Sequence, residues 1–445
     1  MTVTRVRESL TYREDSLQLR LGPDGTFRLR LDTLSRPTEL ALLHGEHRFA
    51  LFVEPGDSVH LSFDGQQPEA SLRYAGRGAS LNNYLAELDR QGLLAGFDLS
   101  PMGQGIAHAD TLRHRAEQFR RQRQHLLHRA AAAGPLSGAA QRFARFATDY
   151  EWAGALLRVP AEYRYERGRP LPGLSPAYYD FLRRVPVPQD SALAVTDYRL
   201  FLMAYLGHTL RQRAAGPLPA NAAQTDRAYL AAARVAFGSS RSRDYVLARL
   251  LYELLLFRRL SEAEPYLADF LRLNRDSTLA RIIRREFAAR RQFAPGQPAP
   301  PFALRDSSGQ EVTLSSFRGK VVYLDFWATW CRPCLEEMRA APALYRRFAG
   351  RPEVAFVAVS LDHDALAWRR WVRRNGQPGV VYVHAPGLEA PVATSYRIKG
   401  IPSYWLIGPD GRIVDSAPPR PSQPLEVRKA IEQATRSAPA AVARR

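Results

Sequence analysis

The sequence predicts a multidomain chain: a small N-terminal antiparallel β domain, a helical middle region and a C-terminal α/β domain. Three observations predict this. Apolar residues alternate with period two before residue 79, recur at helical spacing over 80–291, and then fall into strand-like and helix-like segments in turn. The expected boundaries are 1–79 for the β domain, 80–291 for the helical region, 292–301 for a Pro-rich linker, 302–437 for the α/β domain and 438–445 for a disordered tail.

In the first region Leu17-Gln18-Leu19-Arg20-Leu21 and Phe27-Arg28-Leu29-Arg30-Leu31 alternate around the turn Gly22-Pro23-Asp24-Gly25. Phe49 to Val53 and Val59 to Phe63 flank a second turn at Pro55-Gly56-Asp57. In the second region Leu81, Tyr84, Leu85 and Leu88 share a helix face, as do Leu247, Leu250, Leu251, Leu254 and Leu255. Five to eight helices are expected there, broken by Pro-rich joints at 169–176 and 186–189. Four prolines between Phe293 and Pro301 read as a stiff, extended connector. Beyond it strands are expected at Val321–Trp327, Val354–Ser360 and Val380–Val383, with a terminal hairpin of Ser403–Ile407 and Ile413–Asp415. Helices are expected at Cys331–Phe348 and Ala365–Asn375, which calls for a sheet covered on both faces.

Composition excludes some classes. No apolar run is long enough to cross a bilayer, so membrane anchoring is not visible, and residues 1–30 hold no apolar stretch of signal-peptide type. The net charge is +19, but the basic residues are almost all Arg and are spread along the helices without a reader motif. Nucleic acid is therefore not an expected partner. Only two cysteines occur, three positions apart, which suits a redox couple or half of a zinc site better than a structural disulfide framework.

The chemistry centres on Asp325-Phe326-Trp327-Ala328-Thr329-Trp330-Cys331-Arg332-Pro333-Cys334, which runs off an apolar strand into a helix. A thiol at a helix N-terminus meets unpaired N–H groups and the positive end of the macrodipole, which favour its thiolate, the nucleophilic form. Two intervening residues keep Cys331 and Cys334 within bridging reach. Pro333 needs no N–H in the first turn, and Arg332 adds a nearby positive charge. Asp325 lies on the apolar strand six residues before Cys331. Glu337 lies one turn beyond Cys334 on the same helix face. A buried carboxylate has a raised pKa, so either is a candidate proton carrier; a solvated helix position is the alternative for Glu337. Gly400-Ile401-Pro402-Ser403 precedes the terminal strand, where a cis proline leaves backbone free to pair with a bound peptide.

These residues resemble the thioredoxin superfamily. Pro298-Ala299-Pro300-Pro301-Phe302, Leu304-Arg305-Asp306, Leu314-Ser315-Ser316-Phe317-Arg318-Gly319-Lys320, Glu337 and the hairpin Gly408-Pro409-Asp410-Gly411-Arg412 narrow the resemblance to its TlpA/ResA-like branch. The resemblance covers about a third of the chain. It implies a thioredoxin fold and thiol–disulfide exchange in the bacterial cell envelope. The implied catalytic residues are Cys331, Cys334, Glu337 and Asp325, with Trp330, Arg332, Pro333, Ile401 and Pro402 at the substrate. It implies no cofactor beyond the Cys331–Cys334 disulfide. The partners would be a disulfide-bearing protein and an upstream thiol reductant. That branch often carries Asn where this chain has Asp325, whereas thioredoxin itself carries Asp. A second resemblance, through Phe52-Val53-Glu54-Pro55-Gly56-Asp57-Ser58-Val59, Tyr74-Ala75-Gly76-Arg77-Gly78-Ala79 and Asn83-Tyr84-Leu85, is to the β domain that precedes thioredoxin modules in Bacteroidetes-type envelope proteins. Such proteins usually begin with an export segment, and a cytoplasmic location is the alternative here.

Other signals carry less. Zinc at the two cysteines lacks two further ligands. His125 and His128 sit among Arg on a helix, Gly76-Arg77-Gly78 reads as a turn, and Trp368 and Trp371 read as packing. Two further functions stay open: a disulfide oxidase or isomerase, and a binding or adaptor protein whose cysteine pair is vestigial.

Overall fold

A computed structural model describes residues 1–94, 105–213 and 222–437 apart from Tyr12 and Thr33; the tail expected at 438–445 lies outside the described residues. Packing divides the chain into two compact units, Met1–Arg249 and Leu250–Arg445. This division does not follow the boundaries expected at 79, 291 and 301, for reasons visible inside each unit.

The first unit opens with strands β1 (Thr2–Glu8), β2 (Arg13–Gln18), β3 (Thr38–His44) and β4 (His47–Val53), an antiparallel sheet in the order β2-β1-β3-β4. β5 (Ser58–Ser62) and β6 (Arg73–Arg77) form a separate antiparallel pair around the short helix α1 (Pro68–Ser71). Gly76 is obligatory there, because its φ is +86° and a Cβ would lie 2.3 Å from the Ser58 carbonyl oxygen. The turn at Gly22–Gly25 forms, but the strand expected at Phe27–Leu31 does not. Phe27, Leu29 and Leu31 still turn inward against the sheet's core while Arg28 and Arg30 face out. Period two here reports an extended segment packed by its side chains, without a ladder of backbone hydrogen bonds.

Helix α2 (Ala79–Arg90) is fastened to this β layer by two amides. Buried Asn82 accepts from Phe52 N (2.7 Å) and donates to Phe52 O (2.8 Å), while Asn83 does the same for Tyr74 (3.0 and 2.8 Å). Each amide thus imitates a neighbouring strand. The other face of α2, Leu81, Tyr84, Leu85 and Leu88, packs with Phe52, with Phe119 and Leu126 of α3 (Ala109–Ala133), and with Ala140 and Ala144 of α4 (Gly138–Arg167). One core therefore crosses residue 79. Helices α5 (Thr196–Arg213), α6 (Ala222–Phe237) and α7 (Arg241–Phe257) follow; the division between units falls inside α7. Pro-rich joints break the chain as expected, with α4 ending at left-handed Gly168.

The second unit continues with α8 (Leu260–Leu273) and α9 (Ser277–Arg290). Its sheet has seven strands: β7 (Ala303–Asp306), β8 (Glu311–Thr313), β9 (Val321–Trp327), β10 (Val354–Ser360), β11 (Val380–His384), β12 (Ser403–Ile407) and β13 (Ile413–Asp415). The order is β13-β12-β9-β10-β11-β7-β8, with β9, β10 and β11 parallel and the rest antiparallel. Buried β9 sends alternate residues to opposite faces. Val322, Leu324 and Phe326 join one core with Val357, Val359, Trp405 and Ile407. Val321 and Tyr323 face the other, capped by Val427 and Ile431 of the terminal helix α14 (Pro424–Arg436), and Trp327 continues that face. The helix expected at 331–348 is two: α10 (Arg332–Ala340) and α11 (Pro342–Arg347). Pro342 has no N–H to continue the first and opens the second. α12 (Ala365–Asn375) and the short α13 (Pro391–Ser395) complete the unit.

The Pro-rich stretch is not a free connector. Gly296 N donates to Ile413 O (2.7 Å), Ile413 N to Gln297 O (2.8 Å) and Ala299 N to Gly411 O (3.0 Å), so it lies along the terminal hairpin. Phe293, Ala299 and Phe302 are buried in the sheet's core. Arg290 of α9 is buried over Trp405, 5.4 Å from the ring centre, and burial pushes its pKa down to about 10. Replacing Asn82 by Ala should cost about 2–4 kcal/mol in the first unit, since two buried backbone groups of Phe52 lose their partner; chemical denaturation followed by circular dichroism measures it. A loss below 0.5 kcal/mol, roughly the scale of surface changes, would contradict this reading of α2.

Candidate active site

Strand β9 ends at Trp327, three residues form a loop, and Cys331 is the N-cap of α10. Its sulfur accepts from Cys334 N at 3.3 Å, the contact an N-cap side chain makes with the first turn. Pro333 occupies that turn without leaving an N–H unsatisfied. Cys331 and Cys334 form a disulfide with Cα atoms 5.3 Å apart. Cys331 is 4% exposed and Cys334 is sealed. Trp327, Ala328, Ala358, Trp368 and Tyr382 surround them, with Leu335, Met338, Trp371 and Ile401 packed alongside. Trp368 and Trp371 are thus packing groups, as expected: Trp371 lies 4.4 Å from Trp327, ring to ring.

The other expected site residues divide between surface and interior. Trp330 is 63% exposed beside the nearly buried Cys331. Arg332 and Pro333 are exposed too, but Arg332 is paired with Glu336 at 3.1 Å. That pairing and solvent screening both weaken the field it applies to the sulfurs. Ile401 and Pro402 are joined by a cis peptide at the mouth of β12, and half-buried Ile401 packs against the cysteine cluster. Among the described residues no group of three or more His, Cys, Asp and Glu is arranged to hold a metal.

The two carboxylates have different environments. Glu337 is buried on α10, yet its Oε2 accepts from Ser422 N (2.9 Å) and its Oε1 from Ser422 Oγ (3.0 Å), with Arg420 at 4.0 Å. It is an anchored group rather than a solvated one. Asp325 points to the same face as Tyr323 and Trp327, beside Tyr404 of β12 and Ala358 of β10. Its Oδ1 is buried without a hydrogen-bond partner. Burial, and then the negative charge of Glu337, hold the Asp325 carboxyl well above the ordinary carboxylate range; Arg420 opposes them.

The loop between Trp327 and Cys331 is held by a residue that the sequence reading passed over. Asp362, just after β10, is buried. It accepts from Thr329 N (3.0 and 3.1 Å), Thr329 Oγ1 (2.6 Å) and Ser360 Oγ (2.7 Å), and His384 Nε2 donates to its carbonyl oxygen (2.7 Å). These donors satisfy the lone pairs of the buried carboxyl group. The available signal was Ser360-Leu361-Asp362 at the end of an apolar strand, where an acid needs donors from a neighbouring loop.

Comparison with known proteins places this unit. Residues 295–416 match the family described as AhpC/TSA. The thiol–disulfide oxidoreductase ResA of Bacillus subtilis is 31% identical over 133 residues, covering 30% of this chain and 72% of ResA. ResA of Geobacillus kaustophilus is 32% identical, covering 28% and 71%. Among solved structures, a putative thiol–disulfide oxidoreductase from Bacteroides vulgatus is 34% identical, covering 32% of this chain and 98% of that one, with a TM-score of 0.30. A putative thiol:disulfide interchange protein DsbE from Chlorobium tepidum is 28% identical, covering 32% and 99%, with a TM-score of 0.29. Through this C-terminal third the chain belongs to the TlpA/ResA-like thiol–disulfide oxidoreductases of the thioredoxin superfamily.

Proposed function

We propose that this protein reduces or exchanges disulfides in protein substrates through Cys331 and Cys334, by way of a mixed disulfide. The observation that carries the reading is the bridged pair at the start of α10, with Cys331 next to an exposed tryptophan and Cys334 sealed behind it. In the reduced protein the Cys331 thiolate attacks one sulfur of the substrate disulfide and expels the other as thiolate. The Cys334 thiolate then attacks the Cys331 sulfur, closes the protein's disulfide and releases the second substrate thiolate. Two electrons pass to the substrate, and a second dithiol restores the pair. Trp330, Pro333, Ile401 and Pro402 supply the surface on which the polypeptide lies. Trp330 and Pro333 are exposed beside the nearly buried sulfur and Ile401 is half-buried, which supports that role; Pro402 itself is buried.

Asp325 is the better candidate for carrying the proton of Cys334, because it has an unbonded oxygen and a raised pKa, whereas Glu337 is committed to Ser422. Glu337 acts on it through charge. The direction of electron flow follows the pair's potential against its compartment. The cell envelope is the proposed location, and no helix among the described residues is long and apolar enough to cross a membrane.

Three outcomes are expected. Cys331→Ser abolishes reduction of insulin disulfides, and wild-type rates in this variant would overturn the assignment. Cys334→Ser leaves Cys331 covalently joined to substrate, seen as a mass adduct that dithiothreitol removes. For Asp325 the sign follows from its raised folded pKa. The stability tied to its neutral form is full below the unfolded pKa of ~4 and is lost as pH rises towards the folded value. Asp325→Asn should therefore be more stable than wild type at pH 8, with the advantage shrinking towards pH 4, while turnover falls. Denaturant midpoints at the two pH values and insulin turnover test this. An advantage that grows on acidification would contradict a raised pKa.

A further inference from the structure

The loop carrying Ile401 and Pro402 is held by residues that lie before the family match. The AhpC/TSA family match begins at residue 295, yet two groups from earlier helices of the same unit grip residues 397–400. Arg397, the one non-glycine among the described residues with a positive φ (+52°), pairs with Glu286 of α9 at 2.5 Å. Phe257, the last residue of α7, lies on Gly400. A Cβ at Gly400 would come within 2.9 Å of its Cζ and 3.3 Å of its Cε1. The ring thus sits where almost any other side chain at position 400 would be.

Phe257 is half-buried, as are Gly400 and Ile401, and Ile401 packs against the cysteine cluster. The Phe257 ring thus lies against Gly400, one residue along the chain from the Ile401 side chain that reaches the disulfide. We propose that Phe257 is a specificity-determining residue: it forms an apolar wall beside Gly400–Ile401–Pro402 and selects polypeptide disulfides flanked by an apolar side chain. The inference rests on the disulfide-exchange reading above. It gives the end of α7 a part in substrate choice, with α9 fixing the loop through Arg397.

The experiment uses the full chain with two substrates, insulin and the small aromatic disulfide dithiobis-nitrobenzoate, which presents no flanking polypeptide. In Phe257→Ala the ratio of kcat/KM for insulin to that for the small disulfide should fall about three- to tenfold, the scale expected for losing part of a buried aromatic contact, with the insulin loss in KM. Phe257→Leu should recover most of it. Gly400→Ala, which displaces the ring, should shift the ratio the same way. A ratio unchanged in both Phe257→Ala and Gly400→Ala, or a loss confined to kcat for both substrates, would overturn the inference while leaving disulfide exchange in place. A wild-type protein that reduces neither substrate would overturn both.

Discussion

The joint between β9 and α10 is the constraint on which the rest of the site depends. Strand periodicity fixes which face Asp325 and Trp327 share, and helix geometry fixes where the two cysteines stand. The strand must end, the chain must turn in three residues, and Cys331 must arrive as an N-cap with its sulfur over the first turn. Asp362 makes that turn reproducible by taking Thr329 through both its N–H and its hydroxyl. The backbone just ahead of Cys331 is thereby tied to the neighbouring parallel strand, so the sulfur's position is set by the sheet rather than by the loop alone.

The same joint explains why two acids on one side of the sheet have such different surroundings. Asp325 is on the central strand, where neither neighbour offers a donor to its Oδ1. Glu337 is on the helix above, where the 420–422 segment supplies Ser422 and Arg420. The donors go to Glu337, whose charge then raises the pKa of Asp325 further. The two carboxylates thus have opposed environments, one anchored by donors and the other with an unbonded buried oxygen, which is the basis for proposing Asp325 as the proton carrier.

Much of this was legible in the sequence. The bounds of β9, β10, β12 and β13 follow from apolar runs bounded by turn residues, and the Cys331–Cys334 spacing at a strand-to-helix step announces its chemistry. What was not legible depends on distant partners. Phe27–Leu31 has the alternation of a strand, but alternation records which side chains turn inward and cannot say whether a ladder partner exists. The Pro-rich stretch looked like a spacer because its donors are few, yet two of them, at Gly296 and Ala299, bond to the hairpin about 115 residues later. Asp362 carries only the weak local signal of an acid closing an apolar strand, and Phe257 carries none. Their importance comes from Thr329 and Gly400, which only the fold brings to them. Pro342 is a helix-breaking residue in the sequence itself, and it divides the helix expected at 331–348 into α10 and α11.

The second unit is thus more than the region its relatives share, since the end of α7, α8 and α9 pack with the sheet through Phe257, Arg259, Glu286 and Arg290. Everything functional in it nevertheless rests on a sulfur pair that opens and closes. The direct measurement is an equilibrium titration of the native chain in dithiothreitol redox buffers, with the Cys331–Cys334 state read by thiol alkylation and mass. The account expects one reversible transition with a two-electron slope, a tenfold change in the dithiol-to-disulfide ratio for about every 30 mV. A disulfide that resists excess reductant until the protein unfolds, or one that does not re-form when the buffer is reversed, would contradict it.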